Sequence, residues 1–295
     1  MARHRPLGAA EFERFYGELY GERWGELRGA LLEGEPPVPF LRGLLRPYLL
    51  DPASVLAAAV LEVRPGHRVL DLCAAPGGKS LVLATDLADP DRDRESDDDA
   101  GRIHGKLVCN ERSSARRARL HRVLDEHLPQ EIRELVTVTG HDAARWAVHE
   151  SSAYDRVLAD VPCSSEQHVL RAPGALADWS ASRTRRLAAG AYAIGCAAVD
   201  AVRPGGQVVY ATCALSQIEN DGVVSRLLAR GRGRLVVLDA TAAMQRAVVR
   251  HHDMLRDWPA SGRVPGERTE HGHLILPDRD HGLGPMYIAL IRRDA

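Results

Sequence analysis

The stretch that decides the fold is RVLDLCAAPGGKS, residues 68–80, in which a short apolar strand runs into small residues and two glycines. A strand, a glycine-rich turn and a helix in this order bring backbone N–H groups close to a ligand at the helix N-terminus. The spacing is neither GxGxxG nor GxxxxGK[ST], which disfavours a dinucleotide or a triphosphate. The segment therefore predicts a nucleotide-type ligand above the carboxyl end of this strand, while a turn with no ligand is the alternative on this pattern alone.

Apolar strand-like and helix-like segments alternate along the rest of the chain. The predicted strands cover residues 68–72, 106–110, 135–139, 155–160 and 207–212. The predicted helices cover residues 80–87, 114–126 and 184–202. This alternation predicts an α/β fold with a doubly wound, mostly parallel sheet. Two later segments, 234–238 and 286–292, are predicted to add antiparallel strands at the sheet edge.

The chain is predicted to consist of a small N-terminal helical extension, residues 1–50, and a main domain, residues 51–295. Apolar residues recur in the extension at three- and four-residue steps, which indicates one or two amphipathic helices, until Pro36, Pro37 and Pro39 break the pattern. Within the main domain, residues 89–99 hold seven acids and two arginines. We expect this run to be a solvated surface loop.

Composition excludes several classes of protein. Hydrophobic residues make up 45% of the 295 residues, and the net charge is −1, so global disorder is not expected. No apolar run approaches the roughly 20 residues that cross a bilayer, and the N-terminus resembles neither a secretory signal nor a transit peptide. Five cysteines without a CxxC pair argue against a disulfide framework and a zinc site. We expect reduced thiols, a cytoplasmic location, no metal and no membrane contact.

Arginine dominates the basic residues. Only Lys79 and Lys106 of the 39 basic residues are lysine, and coding bias is the simplest explanation. Two clusters on predicted helices could still contact RNA phosphates or could simply form solvated helix faces. They comprise Arg112, Arg116, Arg117, Arg119 and Arg122, and then Arg183, Arg185 and Arg186.

Acidic residues follow the second and third predicted strands. Glu111 stands where an acid accepts ribose hydroxyls in dinucleotide sites, and Asp142 stands where an acid could meet an adenine amino group. Each acid alone is more often a surface residue or a helix cap. Their joint placement, with no pyrophosphate loop, fits S-adenosylmethionine.

Two cysteines follow neighbouring predicted strands, in DVPCSS (160–165) and in VVYATCALSQIEN (208–220). Residues just past the carboxyl ends of parallel strands line the ligand crevice, so Cys163 and Cys213 are expected to face one pocket. A lone cysteine is usually a small buried apolar residue. Methylation at carbon 5 of cytosine would explain why thiols are needed, because a thiolate that adds to carbon 6 makes carbon 5 nucleophilic. Asp160 could bind the base edge, and Lys79 could lower a thiol pKa or steady negative charge.

Together, LDLCAAPGGKS, DVPCSS and VVYATCALSQIEN resemble the Sun/Nop-type RNA cytosine carbon-5 methyltransferases. FYGELYGERW (15–24) and GPMYIALIRR (284–293) extend the resemblance and look most like the compact mitochondrial-type members. The resemblance implies a Rossmann-like class I methyltransferase that uses S-adenosylmethionine, with Cys213 as nucleophile and Cys163 assisting release. The candidate cofactor-binding residues are Cys73, Ala74, Ala75, Pro76, Gly77, Gly78, Lys79, Glu111, Arg116, Asp142 and Asp160.

Two features depart from the family pattern, and two other functions stay open. Glu111 stands where aspartate is commoner, and the acidic run at 89–99 looks like an insertion. A DNA cytosine methyltransferase is disfavoured because no glutamine follows Pro-Cys and no large target-recognition insert is present. A non-catalytic RNA-binding assembly factor would not need Lys79, Asp160, Cys163 and Cys213. The expected substrate is small-subunit rRNA, with tRNA second and an accessory RNA-binding protein as a further partner.

Overall fold

The computed structural model describes residues 8–89, 105–172, 174–255 and 264–295. The helices are α1 Gly8–Tyr20, α2 Trp24–Glu33, α3 Pro52–Ala59, α4 Gly78–Leu87, α5 Ser114–His127, α6 Gln130–Arg133, α7 Glu166–Arg171, α8 Ala181–Ala201, α9 Asp221–Gly231 and α10 Thr241–Arg250. The strands are β1 Val38–Phe40, β2 Tyr48–Leu50, β3 Arg68–Asp71, β4 Lys106–Asn110, β5 Val136–Thr139, β6 Tyr154–Asp160, β7 Val202–Thr212, β8 Leu235–Leu238, β9 Glu267–Arg268, β10 His273–Ile275 and β11 Met286–Arg293.

One nine-stranded sheet organises the main domain. Its order is β5-β4-β3-β6-β7-β11-β10-β9, and β8 also pairs with β11. The five strands from β5 to β7 are parallel, and β11 runs antiparallel to β7. The strand order reverses between β3 and β6, which is the topological switch point where open α/β sheets bind ligands. The prediction of a doubly wound, mostly parallel sheet with a late antiparallel strand is confirmed.

Helices cover both faces of the sheet. On one face α3, α4, α5 and α10 bury side chains such as Leu81, Leu120 and Met244. On the other face α1, α2, α8 and α9 bury side chains such as Phe12 and Val224. Because neither face of the parallel strands meets water, these strands appear in the sequence as short continuous apolar runs.

The N-terminal helices α1 and α2 are present as predicted. Phe12 packs against Trp24 and Trp179, with ring centroids 5.8 Å and 5.2 Å apart. Trp179 belongs to the segment between β6 and α8, so the extension lies against the connection that follows the Cys163 region. The proposed domain boundary at residue 50 stays a prediction.

The last third of the predicted helical extension is not helical. Strands β1 and β2 pair antiparallel, with Val38 opposite Leu50 and Phe40 opposite Tyr48. Prolines at 36, 37, 39 and 47 remove helical N–H donors, which explains why this part of the chain pairs as a short hairpin instead. The hairpin reaches the carboxyl end of β3 and becomes a wall of the site.

The acidic run begins with a buried residue. Asp89 is 9% exposed, and its carboxylate binds Arg42 at 2.7 Å and also contacts Arg250. The remainder of the run, residues 90–99, lies outside the described residues, so its assignment as a surface loop stays a prediction. In the part of the chain that the structure describes, no helix combines the length and apolar character that a membrane crossing requires.

Candidate functional site

The glycines of the loop after β3 are required by packing. Gly77 has a φ of +123°, which L side chains rarely adopt, and a Cβ there would lie 3.0 Å from Val123 of α5. A Cβ on Gly78 would lie 2.5 Å from Cδ1 of Leu50 in the hairpin. The two glycines therefore let the loop fit between α5 and the β1–β2 hairpin.

A cavity of about 190 Å³ lies beside this loop, at the carboxyl ends of β3 and β6. Its walls are the hairpin, the start of α3, the loop itself and the end of β6. The lining residues are Tyr48, Leu49, Leu50, Ser54, Asp71, Cys73, Ala74, Ala75, Pro76, Gly78, Lys79 and Asp160. Most of the cofactor residues predicted from the loop thus line one cavity, together with hairpin residues that the sequence analysis missed.

Lys79 and Asp160 form an ion pair in this cavity. The Lys79 ammonium lies 2.8 Å from Oδ2 of Asp160 and donates to Oγ of Ser54 at 3.0 Å. Burial lowers the pKa of Lys79, but the Asp160 carboxylate, followed by Asp51 and Cys213, outweighs this effect, so the net shift is upward. The lysine therefore stays cationic and fixes the carboxylate at the end of β6.

Asp71 is a buried carboxyl at the end of β3. Its Oδ2 accepts a hydrogen bond of 2.8 Å from the Ser80 hydroxyl, while Oδ1 has no hydrogen-bond partner within the described ranges. Burial, and secondarily the charge of Asp160, raise the pKa of Asp71 to about 7. A carboxyl group that titrates near neutral pH therefore lines the cavity.

Glu111 is buried at the end of β4 and is tied to the glycine loop through Arg116. Its carboxylate lies 3.2 Å from the Arg116 guanidinium and accepts from the Ser113 backbone N–H at 2.7 Å. Arg116 also donates to the Ala75 carbonyl oxygen at 2.6 Å. The structure thus joins three predicted cofactor residues, Glu111, Arg116 and Ala75, although Glu111 and Arg116 are outside the lining of the cavity.

Asp142 begins a short 3-10 helix after β5. Its Oδ1 accepts from the Ala144 N–H at 3.2 Å, and Oδ2 lies 3.4 Å from exposed Arg112. Asn110 holds the neighbouring strand ends together, because its amide donates to the carbonyl oxygens of Leu72 and His141, both at 3.1 Å. Asp142 therefore caps a helix, and its partly exposed carboxylate can still accept further hydrogen bonds.

The two predicted cysteines lie side by side. Sγ of Cys163 is 3.0 Å from Sγ of Cys213, and both thiols are free and partly buried. The Ser165 hydroxyl lies 3.1 Å from Sγ of Cys213 and 3.5 Å from Sγ of Cys163. Ser165 has a φ of 52°, a left-handed conformation that turns the chain into α7 and places this hydroxyl beside the thiols.

The environment of the thiol pair is asymmetric. The hydrogen bond with Cys163 lowers the pKa of Cys213; burial opposes this change, and the closer Ser165 hydroxyl supports it. The same hydrogen bond and burial raise the pKa of Cys163. Cys213 is therefore the thiol that more readily becomes the thiolate, and Cys163 is the thiol that keeps its proton.

A hydrogen-bonded turn holds Cys213 after β7. Asn220 accepts from the Thr212 hydroxyl at 2.6 Å and donates to the Ala214 carbonyl oxygen at 2.9 Å. The Ala214 N–H donates to the Thr212 hydroxyl at 3.1 Å. Thr212 and Asn220 stand within the motif that the sequence analysis quoted, but their roles depend on this turn, which the sequence alone does not show.

Other residues near the site were not singled out by the sequence analysis. Ser54, Tyr48 and Leu50 come from a segment whose sequence shows no chemical motif, so no signal could have found them. Ser164, Glu166 and Glu219 flank the cysteines in the chain, and their proximity to Cys163 and Cys213 was the available signal. Among the described residues, no group of three or more His, Cys, Asp and Glu side chains is placed to hold a metal ion.

The switch-point cavity, the glycine loop and the sheet order define a class I methyltransferase fold. A family model described as "16S rRNA methyltransferase RsmB/F" matches residues 58–290, and the chain belongs to this family. The resemblance to the Sun/Nop-type enzymes that the motifs predicted is thereby confirmed.

Two curated relatives share about a third of their aligned residues with this chain. The 5-cytosine rRNA methyltransferase NSUN4 of Xenopus laevis is 34% identical over 259 residues, which are 85% of this chain and 57% of that protein. The mitochondrial tRNA (cytosine(34)-C(5))-methyltransferase of Danio rerio is 34% identical over 248 residues, which are 83% of this chain and 60% of that protein. The chain thus spans less than two thirds of the length of these relatives.

A solved structure shows the same fold. A methyltransferase homologue from Pyrococcus horikoshii superposes with a TM-score of 0.64 at 18% identity, covering 98% of this chain and 99% of that one. At this coverage the likeness includes the N-terminal helices as well as the sheet domain.

Proposed function

We propose that this chain methylates carbon 5 of cytosine in RNA, with S-adenosylmethionine as methyl donor and Cys213 as covalent nucleophile. The observation that carries the proposal is the thiol pair, whose sulfur atoms lie 3.0 Å apart at the ends of neighbouring strands. Protein or small-molecule methylation would leave a second thiol without a role. The names of the two curated relatives support cytosine in RNA as the target.

The residues present fit S-adenosylmethionine. Each of the carboxylates of Glu111 and Asp142 accepts only some of the hydrogen bonds that its two oxygens allow, so a ribose or an adenine amino group can still be bound. The unpartnered Oδ1 of Asp71 and the backbone of the glycine loop add polar groups at the cavity. When bound, this cofactor supplies an electrophilic methyl group.

Cys213 and Cys163 would divide the covalent chemistry between them. The Cys213 thiolate adds to carbon 6 of the cytosine, an S–C6 bond forms, and the ring electrons make carbon 5 nucleophilic. After methylation, a base removes the carbon-5 proton, the S–C6 bond breaks, and its electrons return to Cys213. Cys163 keeps its proton in the free protein and contacts the same sulfur, which fits a role in release.

Asp160 and Lys79 would orient the base. Asp160 lies at the end of β6, three residues before Cys163, and it is partly exposed toward the cavity. A carboxylate in this place can accept a hydrogen bond from the cytosine amino group. Lys79 fixes that carboxylate, and its positive charge interacts with Cys213, which favours the thiolate form of Cys213.

Arginines near the site would bind the RNA backbone. Arg183 at the start of α8 donates to the Ser164 carbonyl oxygen at 3.3 Å, and Arg185 and Arg186 beside it are exposed. Arg119 and Arg122 on α5 are exposed as well. Small-subunit rRNA is our first candidate substrate, with tRNA second, and an accessory RNA-binding protein could supply further contacts.

Methyl transfer from radiolabelled S-adenosylmethionine tests the proposal. Small-subunit rRNA, tRNA and duplex DNA would be offered in parallel, with bisulfite sequencing of the labelled product. We expect label in RNA, 5-methylcytosine at one site, and no transfer by Cys213→Ala. Cys196→Ala, which changes a free cysteine on α8 away from the cavity, serves as the matched control and should keep activity. Label in DNA alone, or at a position other than carbon 5, would contradict the proposal.

A further inference from the structure

Two buried carboxyl groups lie directly behind the thiol pair. Glu166 opens α7 three residues after Cys163, and Glu219 follows Cys213 by six residues. Both are completely buried. Neither belongs to the cofactor cavity, and the chemistry proposed above uses neither of them.

Glu166 is surrounded by hydrogen-bond donors. Its Oε1 accepts from the Tyr16 hydroxyl of α1 and contacts the Ser164 hydroxyl. Its Oε2 accepts from the Leu215 backbone N–H at 2.9 Å. Two donors, the Tyr16 hydroxyl and the Leu215 N–H, therefore face Glu166 alone, and the Ser164 hydroxyl faces it as well.

Glu219 has fewer donors. Its Oε1 accepts from the Ser164 backbone N–H at 2.9 Å, and its Oε2 lies 2.5 Å from the Ser164 hydroxyl oxygen. Its own carbonyl oxygen accepts from the Tyr210 hydroxyl of β7 at 2.6 Å, which anchors the residue to the sheet.

The number of hydrogens available around Ser164 shows which of the two carboxyl groups carries a proton. The Ser164 hydroxyl contacts a carboxyl oxygen of each glutamate, but it has a single hydrogen and can donate only once. The other contact is a hydrogen bond only if one of the carboxyl groups carries a proton and donates it to the serine oxygen. Glu219 has fewer donors than Glu166, so the proton belongs on Glu219. Burial, and then the charge of Glu166, raise the pKa of Glu219 to about 7, in agreement.

We propose that Glu219 is a positioning residue that works as a neutral acid. It donates from Oε2 to Ser164, Ser164 donates to Glu166, and Glu166 accepts from Leu215. This chain of hydrogen bonds joins the Cys163 loop to the Cys213 loop and so maintains the contact between the two thiols. Tyr16 extends the chain to α1, which gives the N-terminal extension a part in shaping the site.

Loss of the proton from Glu219 would place two carboxylates around one hydroxyl group and push the two loops apart. The titratable and charged groups that face this network from the elements packed against it are Tyr16, Tyr20, Asp160, Cys163, Glu166, Arg183, Tyr210 and Cys213. Of these, Arg183 is the cation, and it contacts the Ser164 carbonyl oxygen rather than either carboxyl group. Its charge lowers the pKa of Glu219, but burial and the charge of Glu166 outweigh this effect, so the net shift is upward.

A pair of amide substitutions tests the assignment. In Glu219→Gln the amide NH₂ can donate to Ser164 and the amide oxygen can accept from the Ser164 N–H, so we expect a turnover at pH 7 within about threefold of the parent protein. In Glu166→Gln an NH₂ group must face a donor, so we expect turnover to fall by about tenfold or more and the thermal unfolding midpoint to fall as well. Glu131→Gln, at an exposed position on α6, is the matched control and should change neither.

The pH dependence separates positioning from a general effect on folding. The raised pKa of Glu219 means that its contribution to stability is present at low pH and is lost as the pH rises from the ordinary glutamate range through about 7. Glu219→Gln should therefore flatten the decline in unfolding midpoint and in turnover over this range. The assignment would be overturned if Glu219→Gln lowered turnover and the unfolding midpoint as much as Glu166→Gln does, or more. The inference rests on the proposed methyl transfer only for the turnover measurements. The unfolding measurements test the protonated Glu219 even if the chain methylates no RNA.

Discussion

Sγ of Cys163 and Sγ of Cys213 are 3.0 Å apart although 50 residues separate them in the chain. The cause is the pairing of β6 and β7 as parallel neighbours, in which Asp160 lies opposite Ala211. Cys163 follows Asp160 by three residues, and Cys213 follows Ala211 by two. The register of the sheet therefore brings the two thiols together. The Ser164 N–H then donates to Glu219 across the two loops, and the Asn220 amide holds the turn of the Cys213 loop.

The first prediction concerns cofactor binding by Glu111. We expect Glu111→Ala to weaken S-adenosylmethionine binding by about 1.5–3 kcal/mol, because a charged hydrogen-bond partner of the ribose is lost. Calorimetry on the parent and variant proteins measures this directly. Glu131→Ala removes an exposed glutamate on α6 and should leave the dissociation constant unchanged. Equal affinity of Glu111→Ala and the parent would remove Glu111 from the cofactor site.

The second prediction concerns the chemical identity of Lys79. Arginine is bulkier and spreads its charge over a planar group, so Lys79→Arg should not reproduce the contacts with both Asp160 and Ser54. We expect turnover to fall by about tenfold or more, which corresponds to about 1.4 kcal/mol. Lys106→Arg changes the other lysine, which is exposed on β4, and is the matched control. Unchanged turnover in Lys79→Arg would show that any cation suffices at this position.

The third prediction concerns the pH dependence of folding through Asp71. Its pKa is raised to about 7, so the folded protein holds this proton between the ordinary aspartate range and pH 7 while the unfolded chain releases it. Stability should therefore fall as the pH rises across this interval, with Asp71 contributing up to about 1.4 kcal/mol per pH unit. Asp71→Asn should make the slope of unfolding free energy against pH shallower. Asp178→Asn, at an exposed position, should leave this slope unchanged. Identical slopes for the two variants would contradict the assignment.

The fourth prediction concerns the packing of the glycine loop. A methyl group on Gly78 would collide with Leu50, so we expect Gly78→Ala to cost about 1–3 kcal/mol of stability and to weaken cofactor binding. Gly29→Ala is the control, and its expected change in stability has the opposite sign. It lies within α2 with no atom near the added methyl group, so it should stabilise by about 0.5–1 kcal/mol. Chemical denaturation of both variants measures the difference, and a neutral Gly78→Ala would show that the hairpin can move away.

Much of the sheet domain could be predicted from the sequence because buried parallel strands produce short apolar runs between helical segments. The predicted strand over 106–110 has the bounds found in the structure, and the others differ by a few residues at their ends. The strand β10, with three residues, and the hairpin β1–β2 were not predicted, because so short a segment has no detectable periodicity. Their pairing depends on tertiary contacts.

The candidate site could be predicted only where a cysteine or an acidic residue stands at or just after the end of a predicted strand. Cys163, Cys213 and Asp160 meet this condition, and the structure brings them together at one edge of the sheet. Glu166 and Glu219 do not meet it, because a glutamate near a motif is usually solvated. Their importance arises from burial beside Ser164, which a sequence does not reveal.

The central claim is that Cys213 forms the covalent bond to RNA and Cys163 permits its release. Each variant would be incubated with S-adenosylmethionine and substrate RNA, and a denaturing gel would show whether RNA stays attached to the protein. We predict that Cys163→Ala accumulates a denaturant-resistant protein–RNA adduct that requires the methyl donor, since addition and methylation proceed but elimination stalls. Cys213→Ala should be inactive and leave RNA free. An adduct in Cys213→Ala and none in Cys163→Ala would contradict this account and assign attack to Cys163, as in a DNA-type enzyme.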